Sequence, residues 1–276
     1  MSNAKYSLNY KFQEHDPRDY IYQTPNNLSL STNNYLIKIT KIYDQGNLGS
    51  CVSNAIAGCL NYYNININPA RLYIYFNGRA ISAGADIIDD TGLTVRDGCK
   101  SVAKYSVCSE QIWPYNINIF ASIPPLNCYQ NTFSFKSFAY NSVAQNLNSI
   151  KLCLSANNPI LFGIAVYSSF MTYQVAITGT VPNPNLNTEQ LQGGHCLLLI
   201  GFNDATQRFT FANSWGTNWG ANGFGTIPYT YLLNSNLASD FWTLNFSNLS
   251  SKPKITNTVV VGNKIYNVNS LMKLRK

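Results

Sequence analysis

From Cys51 onward the apolar residues fall at Val52, Ala55, Ile56, Cys59, Leu60 and Tyr63. This i, i+3, i+4, i+7, i+8, i+11 spacing predicts a helix with one inward-facing stripe. Ser50 stands at the N-cap position, which places Cys51 in the first turn. A second helix is predicted over 94–105, "TVRDGCKSVAKY", and the stretch that follows, "SVCSEQIWPY", stops at a proline turn. Loops rich in Pro and Asn are expected over 114–135. Beyond about residue 140 the pattern changes. "NPILFGIAVY" and "GHCLLLIGF" are short apolar runs bounded by turn residues, and "RFTFANSW" alternates like a half-buried strand. Residues 1 to about 40 are polar, Tyr- and Asn-rich and weakly patterned, an extended arm. In "ITNTVVVGNKIYNVNS" two β-prone runs flank Gly262-Asn263, a hairpin-type turn, and the hairpin is expected to cover a sheet edge or pack on the body.

These patterns divide the chain into an arm (1–35), a helical part (36–140), a β-rich part (141–245) and a C-terminal hairpin with a basic tail (246–276). The fold class expected is α+β. Hydrophobic residues make up 45% of the 276, ample for a core, while charged residues are only 11%. The net charge of +7 is scattered, apart from the terminal "KLRK", without the Lys/Arg stripe of a nucleic-acid binder. No apolar run approaches the roughly 18 to 20 residues of a membrane-spanning helix. The N-terminal stretch lacks the apolar core of a secretory signal, so an intracellular or virion-associated protein is expected. No nucleic acid, membrane or cofactor is therefore expected as a partner.

Seven cysteines stand at 51, 59, 99, 108, 128, 153 and 196, with no CxxC among them. Zinc-ribbon and thioredoxin-type readings fail, although a disulfide within the group 99, 108 and 128 stays open. With only His15 and His195 present, a multi-histidine metal site cannot be built. Cys59 and Cys196 read as small buried hydrophobes. Cys51 differs, because it follows a Gly-Ser turn at a helix start, where unpaired N–H groups and the helix dipole favour a thiolate. In "GGHCLLLIGFNDATQRFTFANSWG", a hairpin centred on Asp204 sets His195 opposite Asn213. An Asn carbonyl there fixes the imidazole tautomer and aims the other ring nitrogen outward. Such a set suits attack on a carbonyl through an acyl-enzyme. The oxyanion would be held by the Cys51 backbone N–H and the Gln45 side-chain amide.

"QGNLGSC", "GGH" and "NSWGTNWG", in that order, resemble the papain-like cysteine peptidases, and "RDGCKSVAKYSVCSEQIWPY" resembles that family's helix and following loop. The likeness spans about residues 36–245 and is nearest to compact peptidases of bacteria and large DNA viruses. It implies a two-lobed fold, a helical left lobe and a β-barrel-like right lobe, with the site in the cleft between them. By the resemblance, Gln45 is the oxyanion-hole glutamine, Cys51 the nucleophile, His195 the base and Asn213 its orienter. Trp215 shields the Asn–His hydrogen bond and borders the leaving-group side. The Gly194 carbonyl and the loop at Gly92 and Leu93 bind substrate backbone.

Leu48 and Val52 stand where secreted members carry Cys and Trp, which removes one family disulfide. The function implied is a cysteine endopeptidase acting on peptide or protein substrates, with the arm as a short autoinhibitory segment of a zymogen. The alternative from another class is a catalytically silent papain-like fold kept for binding. That reading is disfavoured because Cys, His, Gln, Asn and Trp are all present.

Overall fold

The thirteen-residue helix α1 (Cys51–Tyr63) forms where the apolar spacing places it, but it buries far more than a stripe. Every residue from Cys51 to Tyr62 is buried, including Ser53, Asn54, Gly58 and Asn61. A helix apolar or small on all sides belongs at the centre of a molecule, and α1 lies between two further helices and the sheet. Ser50 does occupy its N-cap position, yet its side chain caps nothing. The hydroxyl pairs instead with the Tyr115 hydroxyl at 2.5 Å.

α2 (Arg71–Ile81) and α3 (Val95–Tyr105) pack against α1 and each other. α3 matches its predicted span, with Thr94 accepting the Asp97 N–H as its cap. α2 was not expected. Its run "RLYIYFNGRAI" is aromatic and β-prone in composition, and Arg79 inside it is buried. The Arg79 guanidinium satisfies that burial by donating to the carbonyls of Ile87, Asp89 and Phe120 at 2.6 to 3.0 Å.

The strands are β1 (Asn33–Tyr35), β2 (Val107–Cys108), β3 (Thr132–Ser142), β4 (Ile160–Tyr167), β5 (Leu191–Asn203), β6 (Arg208–Ala212), β7 (Phe224–Pro228) and β8 (Ala238–Ser250). They form one antiparallel sheet in the order β2-β3-β8-β4-β5-β6-β7, with β1 added on β5. The path is open at β2 and β7, so among the described strands the barrel-like lobe is not a closed barrel. Short helices α4 (Leu126–Gln130), α5 (Leu147–Ser155), α6 (Tyr173–Thr178) and α7 (Tyr229–Leu233) fill the connections. α4, a 3₁₀ turn at Ile117–Ile119 and the start of β3 thus occupy the stretch expected to be loop. The architecture is mixed α+β.

This computed structural model describes residues 6–14, 16–25, 28, 30–35, 39, 41–82, 87–250, 258–261 and 264–267. β9 (Thr258–Val261) and β10 (Lys264–Asn267) pair as the predicted hairpin, with Lys264 opposite Val261 and β9 beside α2. The Gly262-Asn263 turn itself and His15 lie outside the described residues. All seven cysteines are free and buried, so the group 99, 108 and 128 contains no disulfide.

Candidate active site

The loop before α1 and the β5–β6 hairpin meet along one cleft. Cys51 opens α1 and is completely buried. N–H groups of Cys196, Val52 and Cys51 itself hydrogen-bond the thiol and favour its ionisation, but burial outweighs them and pushes its pKa up to about 12. This corrects the expectation of a thiolate primed by the helix start alone. In the closed cleft, desolvation wins over the dipole.

Gln45 is likewise buried, and each end of its amide is engaged. Its Oε1 accepts from the Ser214 hydroxyl at 2.7 Å, and its Nε2 donates to the Leu48 carbonyl at 3.0 Å. The second Nε2 hydrogen points across the cleft to the Ser7 carbonyl, also at 3.0 Å. The Gln45 backbone N–H donates to the Ser214 carbonyl at 2.8 Å and its carbonyl accepts from Tyr115 at 2.9 Å. Beside it, the Asp90 carboxylate takes the Gly49 N–H at 2.8 Å, and Arg71 donates to the Asp44 carbonyl at 2.8 Å and pairs with Glu110.

On the opposite wall, His195 Nε2 lies 2.8 Å from Asn213 Oδ1. The same oxygen accepts the Ser214 backbone N–H at 2.8 Å, which identifies it as the amide oxygen. Since that oxygen cannot donate, the imidazole carries its hydrogen on Nε2 and leaves Nδ1 bare. Nδ1 has no hydrogen-bond partner among the described residues. Trp215 stacks on the imidazole with ring centres 4.9 Å apart, backed edge-on by Phe170 and Trp219. Burial in this wall pulls the His195 pKa from 6.5 down to about 4, with the Asn213 bond opposing it in part.

The expected His–Asn contact is therefore present, although the register behind the expectation is not. The turn falls later, Asn203 pairs with Arg208, and the ladder shifts between Leu199 and Gly201. Asn213 lies just past the end of β6, near Leu197 on the facing strand and so diagonal to His195. A centre misplaced by about one residue still left the two side chains on the same face.

The arm fills the cleft. Tyr6 stacks on Trp215 with ring centres 4.7 Å apart and donates to its carbonyl at 2.9 Å. Ser7 meets Gln45 as above, and the Leu8 carbonyl accepts the Gly194 N–H at 3.3 Å. The Tyr10 N–H donates to the Gly194 carbonyl at 3.1 Å, and the Lys11 N–H to Leu93 at 3.3 Å. Gly92, at φ +74°, lies so close to the arm that a Cβ there would sit 1.7 Å from the Asn9 carbonyl oxygen. Gly92, Leu93, Gly194 and Trp215 thus all line one groove that holds an extended peptide. Among the described residues no His, Cys, Asp and Glu side chains gather in threes as a metal group.

Ser214, Asp90 and Tyr115 brace the site without having been singled out by sequence. Ser214 carried a signal, since it adjoins Asn213 within "NSWG". Asp90 and Tyr115 reach Gly49 and Ser50 only through the tertiary fold.

Residues 24–240 match the family described as papain family cysteine protease. A peptidase C1-like protein of Acanthamoeba polyphaga mimivirus is 39% identical over 215 residues, 73% of this chain and 68% of that one. A cathepsin B-like cysteine proteinase of Caenorhabditis elegans is 27% identical over 194 residues, and the chain spans only 52% of its length. Among solved structures, xylellain, a cysteine protease from Xylella fastidiosa, superposes with a TM-score of 0.80 at 30% identity, covering 88% of this chain and 97% of the other. Digestive procathepsin L 3 of Tenebrio molitor shares the fold, with a TM-score of 0.63 at 16% identity over 82% and 73% of the two chains.

Proposed function

The chain belongs to the papain family of cysteine proteases and is a cysteine peptidase, and from that premise we propose how its residues divide the work and how the arm restrains them. Cys51 is the nucleophile. His195 takes the thiol proton on its bare Nδ1, and the resulting imidazolium is held in orientation by Asn213 through Nε2–H. Thiolate attack on a peptide carbonyl forms a C–S bond and moves the π electrons to oxygen. The Cys51 backbone N–H and the outward Nε2–H of Gln45 receive that oxyanion. Its collapse expels the amine, which leaves with the proton from His195. Water, deprotonated by the same imidazole, then releases the acid and restores the thiol. Trp215 screens the His–Asn bond from water on the leaving-group side.

The observation that carries this reading is the Ser7 carbonyl bound 3.0 Å from Gln45 Nε2, a peptide carbonyl seated at the outward amide hydrogen. The arm nonetheless makes a poor substrate, because it runs with reversed polarity. In a substrate the acyl portion precedes the attacked carbonyl and the leaving amine follows it. Here the preceding residue, Tyr6, lies on Trp215, while Leu8 to Lys11 follow through the Gly92–Gly194 side. The arm is thus an internal, uncleaved occupant, and the chain is an endopeptidase made as a short zymogen.

The test is intact-mass measurement after exposure to a peptidyl-epoxide thiol inactivator. The full chain should label slowly, a chain lacking residues 1–35 rapidly and once, and Cys51→Ala not at all. Rapid labelling of the full chain would remove the autoinhibitory part of the proposal. No labelling in either form would remove the nucleophile.

A further inference from the structure

Asp90 stands where two loops meet that the reaction must keep in register. One is the turn at Gly49 and Ser50, which presents the Cys51 N–H at the start of α1. The other is the backbone edge at Gly92 and Leu93, where the arm's Lys11 N–H bonds the Leu93 carbonyl. Leu48 stands where a cysteine would offer a covalent tie to the first loop, and every cysteine of the chain is free. A run of hydrogen bonds joins the two loops instead. The Gly49 N–H donates to both Asp90 carboxylate oxygens, at 2.8 and 3.1 Å. The Tyr75 hydroxyl donates to the same carboxylate, and the Gly92 N–H donates to the Tyr75 oxygen at 3.1 Å.

The surroundings make this a fixed tie. Tyr75 lies on α2, is fully buried, and has the Arg79 guanidinium over its ring at 4.2 Å. Leu93 is buried against Gly78 of α2 and Gly98 of α3, where an added Cβ would meet its side chain. A Cβ on Gly49 would lie 2.9 Å from the carboxylate, so glycine lets the loop come this close. Gly49, Tyr75 and Gly92 all belong to the body. The arm adds only the Asn9 amide, which donates to the Asp90 carbonyl at 3.0 Å and reaches its carboxylate at 3.5 Å. The path therefore persists when the arm leaves.

The carboxylate works against the thiolate. Burial is the main cause of the raised Cys51 pKa, and the Asp90 charge adds to it. A group that opposes ionisation of the nucleophile calls for another role beside it, and its bonds supply one.

We propose that Asp90 is a positioning residue which, through Tyr75, sets the Cys51 N–H and the edge at Gly92 and Leu93 in one register. The inference rests on the peptidase reading above. A peptide bound along the edge then brings its carbonyl to a donor already in place, and Asp90 acts on the reaction only through Gly49 and Tyr75.

Two reactions of the same sulfur separate this role from a general loosening. Alkylation by iodoacetamide displaces iodide and forms no oxyanion, so it needs only the ionised thiol. Acylation by a p-nitrophenyl ester passes through an oxyanion that expels p-nitrophenolate, so it needs the donors as well. Both are read on the full-length chain carrying Tyr6→Ala, Asn9→Ala and Tyr10→Ala, which strip the arm's ring contacts and its side-chain bonds to Asp90.

In that background Asp90→Ala should slow acylation about 10- to 100-fold, while alkylation runs at least as fast because the opposing charge is gone. Tyr75→Phe should slow acylation about 3- to 10-fold, and the double variant should add little to Asp90→Ala, since both changes open the same path. Asp90→Asn keeps an acceptor for Gly49 and should restore acylation to within about threefold. Intact mass counts the labels, and a single alkyl group reports a folded chain, because the other cysteines are buried. Should Asp90→Ala take several labels, Tyr75→Phe carries the same test. Equal falls in both reactions, or acylation unmoved by Asp90→Ala, would overturn the positioning role. Additive effects of the two substitutions would overturn the path through Tyr75. If the background cuts no peptide while Asp90→Ala still slows acylation, the register stands and the peptidase reading fails instead. No acylation in the background would remove both.

Discussion

The two walls of the cleft hold their chemical groups by different means. Gln45 is gripped at four points, by Ser214 on side chain and backbone, by Leu48 and by Tyr115, with Asp90 and Arg71 bracing the adjoining loop. Among the described residues the His195 imidazole has one hydrogen bond, to Asn213, and an aromatic wall of Trp215 backed by Phe170 and Trp219. An oxyanion donor must be fixed before charge develops, because reorganisation at that moment cancels its benefit. A base must instead take up and release a proton twice in each cycle. A single bond and an apolar wall fix its plane while leaving Nδ1 uncommitted.

The largest expected effect removes the gripped group itself. Gln45→Ala should lower kcat about 10²- to 10³-fold with little change in KM, measured by steady-state peptide hydrolysis on arm-free enzyme. A mainly raised KM would mean that Gln45 binds substrate rather than the transition state.

The next concerns the apolar wall. Burial lowers the His195 pKa from 6.5 to about 4, so the folded, closed state favours the neutral ring. Unfolding or opening takes up a proton between those values. This contribution to stability is complete above the unfolded value of 6.5 and is lost as pH falls through the window toward 4. The whole loss amounts to about 3 kcal/mol. Thermal melts across the window should slope steeply for wild type and less for His195→Gln. Identical slopes would assign the pH dependence to other groups.

Asn213→Ala removes the lone bond on that wall and should cost about 10- to 100-fold in kcat/KM, together with a shifted pH profile because the tautomer is no longer fixed. Ser214→Ala is the smallest change. Gln45 keeps its bonds to Leu48, Tyr115 and the Ser214 backbone, so a loss of only about 3- to 10-fold is expected. If the Ser214 change proves as damaging as the Asn213 change, the contrast between the walls collapses.

The contrast also sorts what was legible in the chain. α1, α3 and the strands β4 to β6 announced themselves by periodicity, and the set Gln45, Cys51, His195 and Asn213 stood out by residue type and spacing. α2 escaped because Tyr, Ile and Phe at helical positions read as strand formers until a buried Arg79 finds three carbonyls that only the tertiary fold supplies. The Ser50 cap failed because Tyr115, distant in sequence, claims the hydroxyl. The thiolate expected at the helix start was reversed by desolvation, a property of the closed cleft rather than of the helix. An arm was foreseen, but its direction was not, since polarity in a groove depends on both partners.

The arm is covalently continuous with the groove it fills, and this sets how its occupancy responds to concentration. Opening is a unimolecular equilibrium, so diluting the protein leaves the closed fraction unchanged, and rival peptides must compete against a fixed local concentration. Once the connection is severed the same contacts become bimolecular, and dilution alone empties the cleft. One cut backbone bond between the cleft segment and the body would thus turn a tethered occupant into a free ligand whose occupancy follows its concentration.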